Sequence, residues 1–198
     1  MSVNRDLSID QGRTFRYVVR WEVLPIVYKA VTGVVLGPSP VVTAPGHGLP
    51  DGWRVALSGI KGATQLNALN NPPKDRDFSP ASVRTADTFE LNLINAVAAG
   101  LYTSGGYIQY FTPQDLTGYT ARMQVRDRVG GTVLQTLVSP TQITIDNVGK
   151  AITIVLAPTD TAASAWTSGV YDLELVSPAG SATTLLYGAI TLNPQVTI

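Results

Sequence analysis

Two stretches, residues 14–22 and 119–127, alternate in polarity with a period of two, and this constrains the fold more than any other feature. In the first, Phe15, Tyr17, Val19 and Trp21 fall on one side of an extended chain. Arg16, Val18, Arg20 and Glu22 fall on the other. In the second, Tyr119, Ala121, Met123 and Val125 stand opposite Thr120, Arg122, Gln124 and Arg126. Successive side chains of a strand point to opposite faces, so each stretch predicts a strand with one face toward a core. Residues 132–138, 143–146, 151–156, 170–177 and 183–192 are further strand candidates. Gly130-Gly131, residues 147–150 and Pro178-Ala179-Gly180 supply the turns between them. The 18 glycines and 13 prolines punctuate short apolar runs, the habit of an all-β chain. One helix signal interrupts the series, over 159–166, with Thr159 as N-cap and Gly169 past its end.

The middle of the chain reads differently. Its strand candidates are short, at 31–36, 41–43, 54–58 and 88–93, and its loops are long and rich in Ala, Gly and Asn. Residues 67–80 are polar, with Asn70-Asn71-Pro72-Pro73 followed by Lys74-Asp75-Arg76-Asp77, and predict a surface excursion. No internal repeat or heptad pattern is present, which excludes a coiled-coil fibre built by this chain. The expected architecture is therefore an all-β, discontinuous sandwich of residues 1–28 and 110–198, with residues 29–109 inserted as a small β-barrel. Trp21 and Tyr119 share one core in this reading.

Charge and composition narrow the function. The 14 Lys and Arg balance 14 Asp and Glu, so a polyanion binder is disfavoured and nucleic acid is not an expected partner. A neutral, lightly charged surface favours association with other proteins. The start of the chain has no apolar signal segment, and residues 30–50 carry four prolines and four glycines, so no membrane helix is expected. Cysteine is absent, which removes disulfides, thiolate metal sites and a cysteine nucleophile.

Candidate chemistry is sparse. His47 is the single histidine and sits in Pro45-Gly46-His47-Gly48-Leu49-Pro50, where a structural turn outweighs a triad or metal role despite nearby Asp51. Asp75, Asp77 and Asp87 lack the spacing of a calcium loop. Thr159, Asp160 and Thr161 follow no glycine-rich loop and mark a helix start rather than a phosphate site. Asp172 and Glu174 share a strand face; a glycosidase pair is the chemical reading and a polar outer face the plain one. Arg16, Arg20, Arg122 and Arg126 form the candidate interface. If their two strands belong to one sheet, the four guanidiniums cluster opposite Asp172 and Glu174 and suit an acidic patch on a neighbouring protein. No catalytic, cofactor-binding or metal residue is expected.

The segment Asp115-Leu116-Thr117-Gly118-Tyr119-Thr120-Ala121-Arg122-Met123-Gln124-Val125-Arg126 resembles a stretch of tailed-phage and prophage structural proteins. In those proteins it follows a Thr-Phe…Trp strand, here Thr14-Phe15 with Trp21. It precedes a Gly-x-Tyr-x-Leu-Glu-Leu strand, here Gly169-Val170-Tyr171-Asp172-Leu173-Glu174-Leu175, and a closing strand, here 185–192. The pattern is similar to the N-terminal domain of upper baseplate proteins of some siphophages, which implies an Ig-like sandwich that attaches an appendage to the virion. The intervening run from Val41 through His47 and Trp53 to Val55, with Leu57-Ser58-Gly59-Ile60 and Thr85-Ala86-Asp87-Thr88-Phe89-Glu90-Leu91, is similar to small β-barrels of phage tail proteins. Those barrels are likened to the first catalytic-cysteine half-domain of ubiquitin-activating enzyme. The likeness implies a barrel and no ligase chemistry.

The resemblance implies a non-enzymatic virion subunit, assembled in the host cytoplasm in multiple symmetric copies and acting through other virion proteins. The chain stops at Ile198, soon after the closing strand, so the expected role is a tail or baseplate adaptor or peripheral subunit, not a receptor-binding tip. A head or neck decoration protein is the alternative. A carbohydrate-binding module contacting a host-surface glycan is the alternative of another class, with Trp53, Trp166 and Tyr107 as its aromatic donors. The working surface is either the arginine face or the insert loops at 61–82 and 94–106.

Overall fold

The computed structural model describes residues 2–195; Met1 and residues 196–198 of the expected sandwich lie outside the described residues. The chain is all-β, with one short helix. In order it forms β1 (Val3–Asn4), β2 (Leu7–Asp10), β3 (Phe15–Val19), β4 (Glu22–Ala30), β5 (Gly33–Val35), β6 (Val41–Thr43), β7 (Arg54–Ser58), β8 (Ser79–Pro80) and β9 (Ser82–Val83). Then follow β10 (Thr88–Glu90), β11 (Tyr107–Pro113), β12 (Thr120–Arg126), β13 (Val133–Val138), β14 (Ile143–Asp146), β15 (Ala151–Leu156), α1 (Pro158–Ala163), β16 (Ser168–Val176) and β17 (Ala182–Asn193). Two compact units result: Met1–Trp21 with Asp115–Ile198, and Glu22–Gln114.

The first unit is a two-sheet sandwich. One sheet has the order β1-β17-β16-β12-β13, with β2 also paired to β17; the other has the order β14-β15-β3. β1 and β2 run parallel to β17, and the other ladders of this unit are antiparallel. The two sheets pack face to face as an all-β sandwich. The period-two pattern explains the layering. Ala121, Met123 and Val125 of β12 are buried with Tyr171, Leu173 and Leu175 of β16 and Ile152, Ile154 and Leu156 of β15. Full burial of each such side chain contributes about 1.5–3 kcal/mol relative to exposure. Trp21 meets Tyr119 edge to face at the fringe of this core, with centroids 5.8 Å apart.

Between β1 and β2 the parallel ladder is interrupted. Arg5 N donates to Tyr187 O, and the Asp6 carboxylate replaces a backbone acceptor for Ala189 N at 3.0 Å. The opposing residue is Gly188, where a Cβ would lie 2.5 Å from Arg5 O. The close approach of the two backbones therefore requires glycine there.

The segment Asp115–Tyr119 is a hook. Asp115 Oδ1 accepts from Thr117 N and Oγ1, Leu116 N donates to Asn147 Oδ1, and Gly118 takes φ 71°. Buried Leu116 and the Asn147 amide thereby tie the entry of β12 to the β14–β15 turn.

The helix differs from its expected form. It starts at Pro158, which has no N–H to leave unsatisfied, and the Asp160 carboxylate accepts from Ala157 N. Thr159 thus lies inside the helix instead of capping it, and Gly169 belongs to β16.

The second unit holds two four-stranded sheets, β5-β6-β10-β9 and β4-β11-β7-β8. The expected barrel is not closed: these ladders do not join into one cylinder. β4 and β11 pair along nearly their whole length, from Tyr107↔Ala30 to Pro113↔Glu22. This pairing sets the unit at 22–114, where the sequence predicted 29–109. Trp53 fills the core of this unit with Phe89, Leu91 and Ile108, and its indole N–H donates to Phe111 O at 3.0 Å. The polar excursion at 67–80 is tied down as well. The Asn67 amide bonds both Ile60 N and Ile60 O, standing in for a strand neighbour.

Candidate interaction surfaces

The four arginines do not form one cluster. Arg16 lies on β3 and Arg20 follows it, in the three-stranded sheet; Arg122 and Arg126 lie on β12, in the six-stranded sheet. Outward side chains of the two layers of a sandwich point away from each other. Arg20 Nη1 donates to Gly149 O at 2.7 Å, which secures the β14–β15 turn. Arg122 stands opposite Glu174 in register and directs Nε and Nη2 onto Glu174 Oε2 at 2.7 and 2.6 Å. Exposed pairs of this kind contribute about 0.2–1 kcal/mol. Arg126 donates to Gly131 O at 2.6 Å and to Gln124 Oε1 at 2.9 Å, bracing the β12–β13 hairpin.

Around Arg122 and Arg126 the outer face of the six-stranded sheet forms a groove of about 820 Å³. Its floor is a row set by register: Asn4 of β1 opposes Tyr187 of β17, Tyr187 opposes Asp172 of β16, and Asp172 opposes Gln124 of β12. Val129 and Gly130 of the β12–β13 turn form one wall. Asp172 accepts a hydrogen bond from neither arginine among the described residues. Burial, and then the Glu174 carboxylate, push its pKa above the ordinary aspartate value, against the opposing pull of Arg122. Beneath the row, the Tyr171 hydroxyl donates to Arg5 O at 2.6 Å, and burial pushes its pKa up to about 12.

Tyr187, 43% exposed, is the groove's accessible aromatic ring, and the sequence reading missed it. Its outward parity in the closing strand was readable, but its position opposite Asp172 depends on the bulge at Leu173/Glu174 in the β16–β17 ladder. The aromatic donors expected from sequence lie elsewhere. Trp53 is fully buried, Trp166 packs partly against the sandwich core with Nε1 donating to Gln135, and Tyr107 is exposed on β11.

The remaining candidates are structural. His47 is buried, accepting from Leu49 N at Nδ1 and facing Thr85 O through Nε2 at 3.1 Å. A carbonyl only accepts, so the imidazole is neutral with its proton on Nε2. Asp87 accepts from Gly46 N, Asp75 pairs with Arg54, and Asp77 accepts from Lys74 N, Leu69 N and Asn70. The backbone bond from Lys74, followed by the Asn70 and Leu69 bonds, holds Asp77 below the usual carboxylate range. Thr161 is buried, with its hydroxyl donating to Arg13 O. Among the described residues no group of three or more His, Asp or Glu side chains gathers as a metal site.

The insert loops present a second surface. Residues 91–106 carry no charge, yet Leu93, Val97 and Leu101 are exposed, Leu101 at 80%. No protein-family model matches the chain, and no curated protein matches it in sequence.

Proposed function

We propose that this chain is a non-enzymatic structural subunit of a tailed-phage particle, a tail or baseplate adaptor or peripheral component that works through protein contacts. The motifs of the resemblance support the phage assignment. Protein binding is supported above all by the uncharged loop that exposes Leu93, Val97 and Leu101. Apolar side chains held out on a folded unit are what a protein interface buries. The arginines contribute less to docking in this reading, because Arg20, Arg122 and Arg126 are already engaged within the sandwich.

Localisation in a reconstruction of the purified particle tests the assignment. Several symmetry-related copies on the tail or baseplate are expected. Density on the head surface would replace the tail location by a decoration role. Absence from purified particles, or density confined to the capsid lumen, would defeat the virion assignment. Incubation with host surface polysaccharide is expected to release no reducing ends. Release that is lost in Asp172→Asn or Glu174→Gln would substitute glycan hydrolysis for this reading.

A further inference from the structure

The groove on the outer face of the six-stranded sheet has a chemistry that the structural role leaves unused. Its charges are two arginines and two carboxylates, so they sum to zero and favour neither an anion nor a cation. Much hydrogen-bonding capacity remains free of the internal bonds. Arg122 keeps Nη1, Gln124 keeps its amide N–H donors, and Asp172 is engaged by neither arginine. The row from Asn4 through Tyr187 and Asp172 to Gln124 crosses three inter-strand spacings, about 14 Å. Side chains directly opposite on neighbouring strands are about 5 Å apart at Cβ, so the Tyr187 ring lies beside the Asp172 carboxylate.

We propose that this groove binds a neutral oligosaccharide. The Tyr187 ring provides the platform for the C–H face of a sugar, and Asp172, Arg122 and Gln124 bind its hydroxyls. A neutral sugar presents donors and acceptors together, which is what a floor of mixed, balanced charge can satisfy. An acidic glycan or a phosphate gains no net attraction here, because Asp172 and Glu174 offset Arg122 and Arg126. A polypeptide would leave the polar row only partly paired, at the cost of desolvating it. The volume is within the range of about 300–1,000 Å³ typical of small-ligand sites. Asp172 is exposed on this face and is bonded by neither arginine, so its carboxylate is open to hydroxyl donors of the ligand. Binding here is separate from the place of the chain in a particle and is read on the isolated full-length protein.

The test is an array of neutral glucose, galactose and mannose oligosaccharides beside uronate-containing ones, followed by calorimetry on the neutral oligosaccharide bound best. Binding to a neutral oligosaccharide is expected, weakened at least about tenfold by Tyr187→Ala and by Asp172→Asn. The midpoint of thermal unfolding should stay close to that of the unaltered protein. Should Tyr187→Ala fail to fold, amide chemical-shift mapping on the unaltered protein decides. Shifts clustered on β12, β16 and β17 around Asp172 support the site, and shifts elsewhere overturn it. The proposal is also overturned if no neutral oligosaccharide binds at millimolar concentration, if only acidic glycans or polypeptides bind, or if both variants keep full affinity.

Discussion

Replacing His47 by Phe isolates the work of its two ring nitrogens. Phenylalanine keeps the ring in a buried position and retains an edge-to-face contact with Phe89, now at 5.5 Å between centroids. It can neither accept from Leu49 N nor donate to Thr85 O. A buried polar group left unpaired costs about 1–3 kcal/mol. The Leu49 N–H lies in buried surroundings and carries the full cost. The Thr85 carbonyl belongs to an exposed residue, where water recovers part of its bond. The sum is a loss of about 2–4 kcal/mol. That corresponds to roughly 2–4 °C of unfolding midpoint per kcal/mol in a chain of this length. His47→Ala should lose more, because a cavity is added to the same two losses. Urea unfolding followed by circular dichroism reads the difference, and nitrogen chemical shifts of the imidazole report the tautomer. A loss below about 1 kcal/mol in His47→Phe, or a proton found on Nδ1, would refute the argument from the buried turn.

Arg54 grips Glu22 through Nε and Nη2, each at 2.5 Å, bonds Asp75, and lies over the Phe78 and Phe111 rings. Arg54→Met should therefore cost about 1.5–3 kcal/mol, and a cycle with Glu22→Gln should recover part of it by removing the stranded carboxylate. Asp172 has its folded pKa raised, so the native state binds the proton more tightly and the carboxylate opposes folding above that pKa. Asp172→Asn should then raise stability at neutral pH by less than about 1 kcal/mol after solvent screening. The gain should vanish below the ordinary aspartate range, and denaturant unfolding across pH 3–8 checks the sign. At Gly62, with φ 84°, a Cβ would lie 1.9 Å from Leu101 O and 2.9 Å from Thr103 N. Backbone atoms cannot swing aside, so Gly62→Ala should cost more than the ~1–2 kcal/mol of the left-handed conformation alone, visible as a lower thermal midpoint.

Local pattern determined the strands whose two faces differ. Burial alternates along β12 and β16 as the residues do, and β14 and β15 fall on the residues expected, because a half-buried strand writes its orientation into every second side chain. β4 was not legible: Glu22–Ala30 contains Pro25 and mixes exposed and half-buried positions without a clean period, and its identity comes from pairing with β11. The turn of His47 was legible from its glycines, whereas the carbonyl acceptor that places the proton on Nε2, Thr85 O, lies 38 residues away. Which strands share a sheet was decided only by tertiary structure. Arg16 and Arg122 look alike in sequence, each outward on an alternating strand. The register of β3 on β15 and of β12 on β16 separates them into different layers. The same holds for the groove, where Asn4 and Tyr187 become neighbours across 183 residues of chain because β1 pairs in parallel with β17. Period-two alternation records which way a side chain faces, but ladder hydrogen bonds are made by backbone groups common to every residue, so the partner strand is chosen by the packing of the whole core.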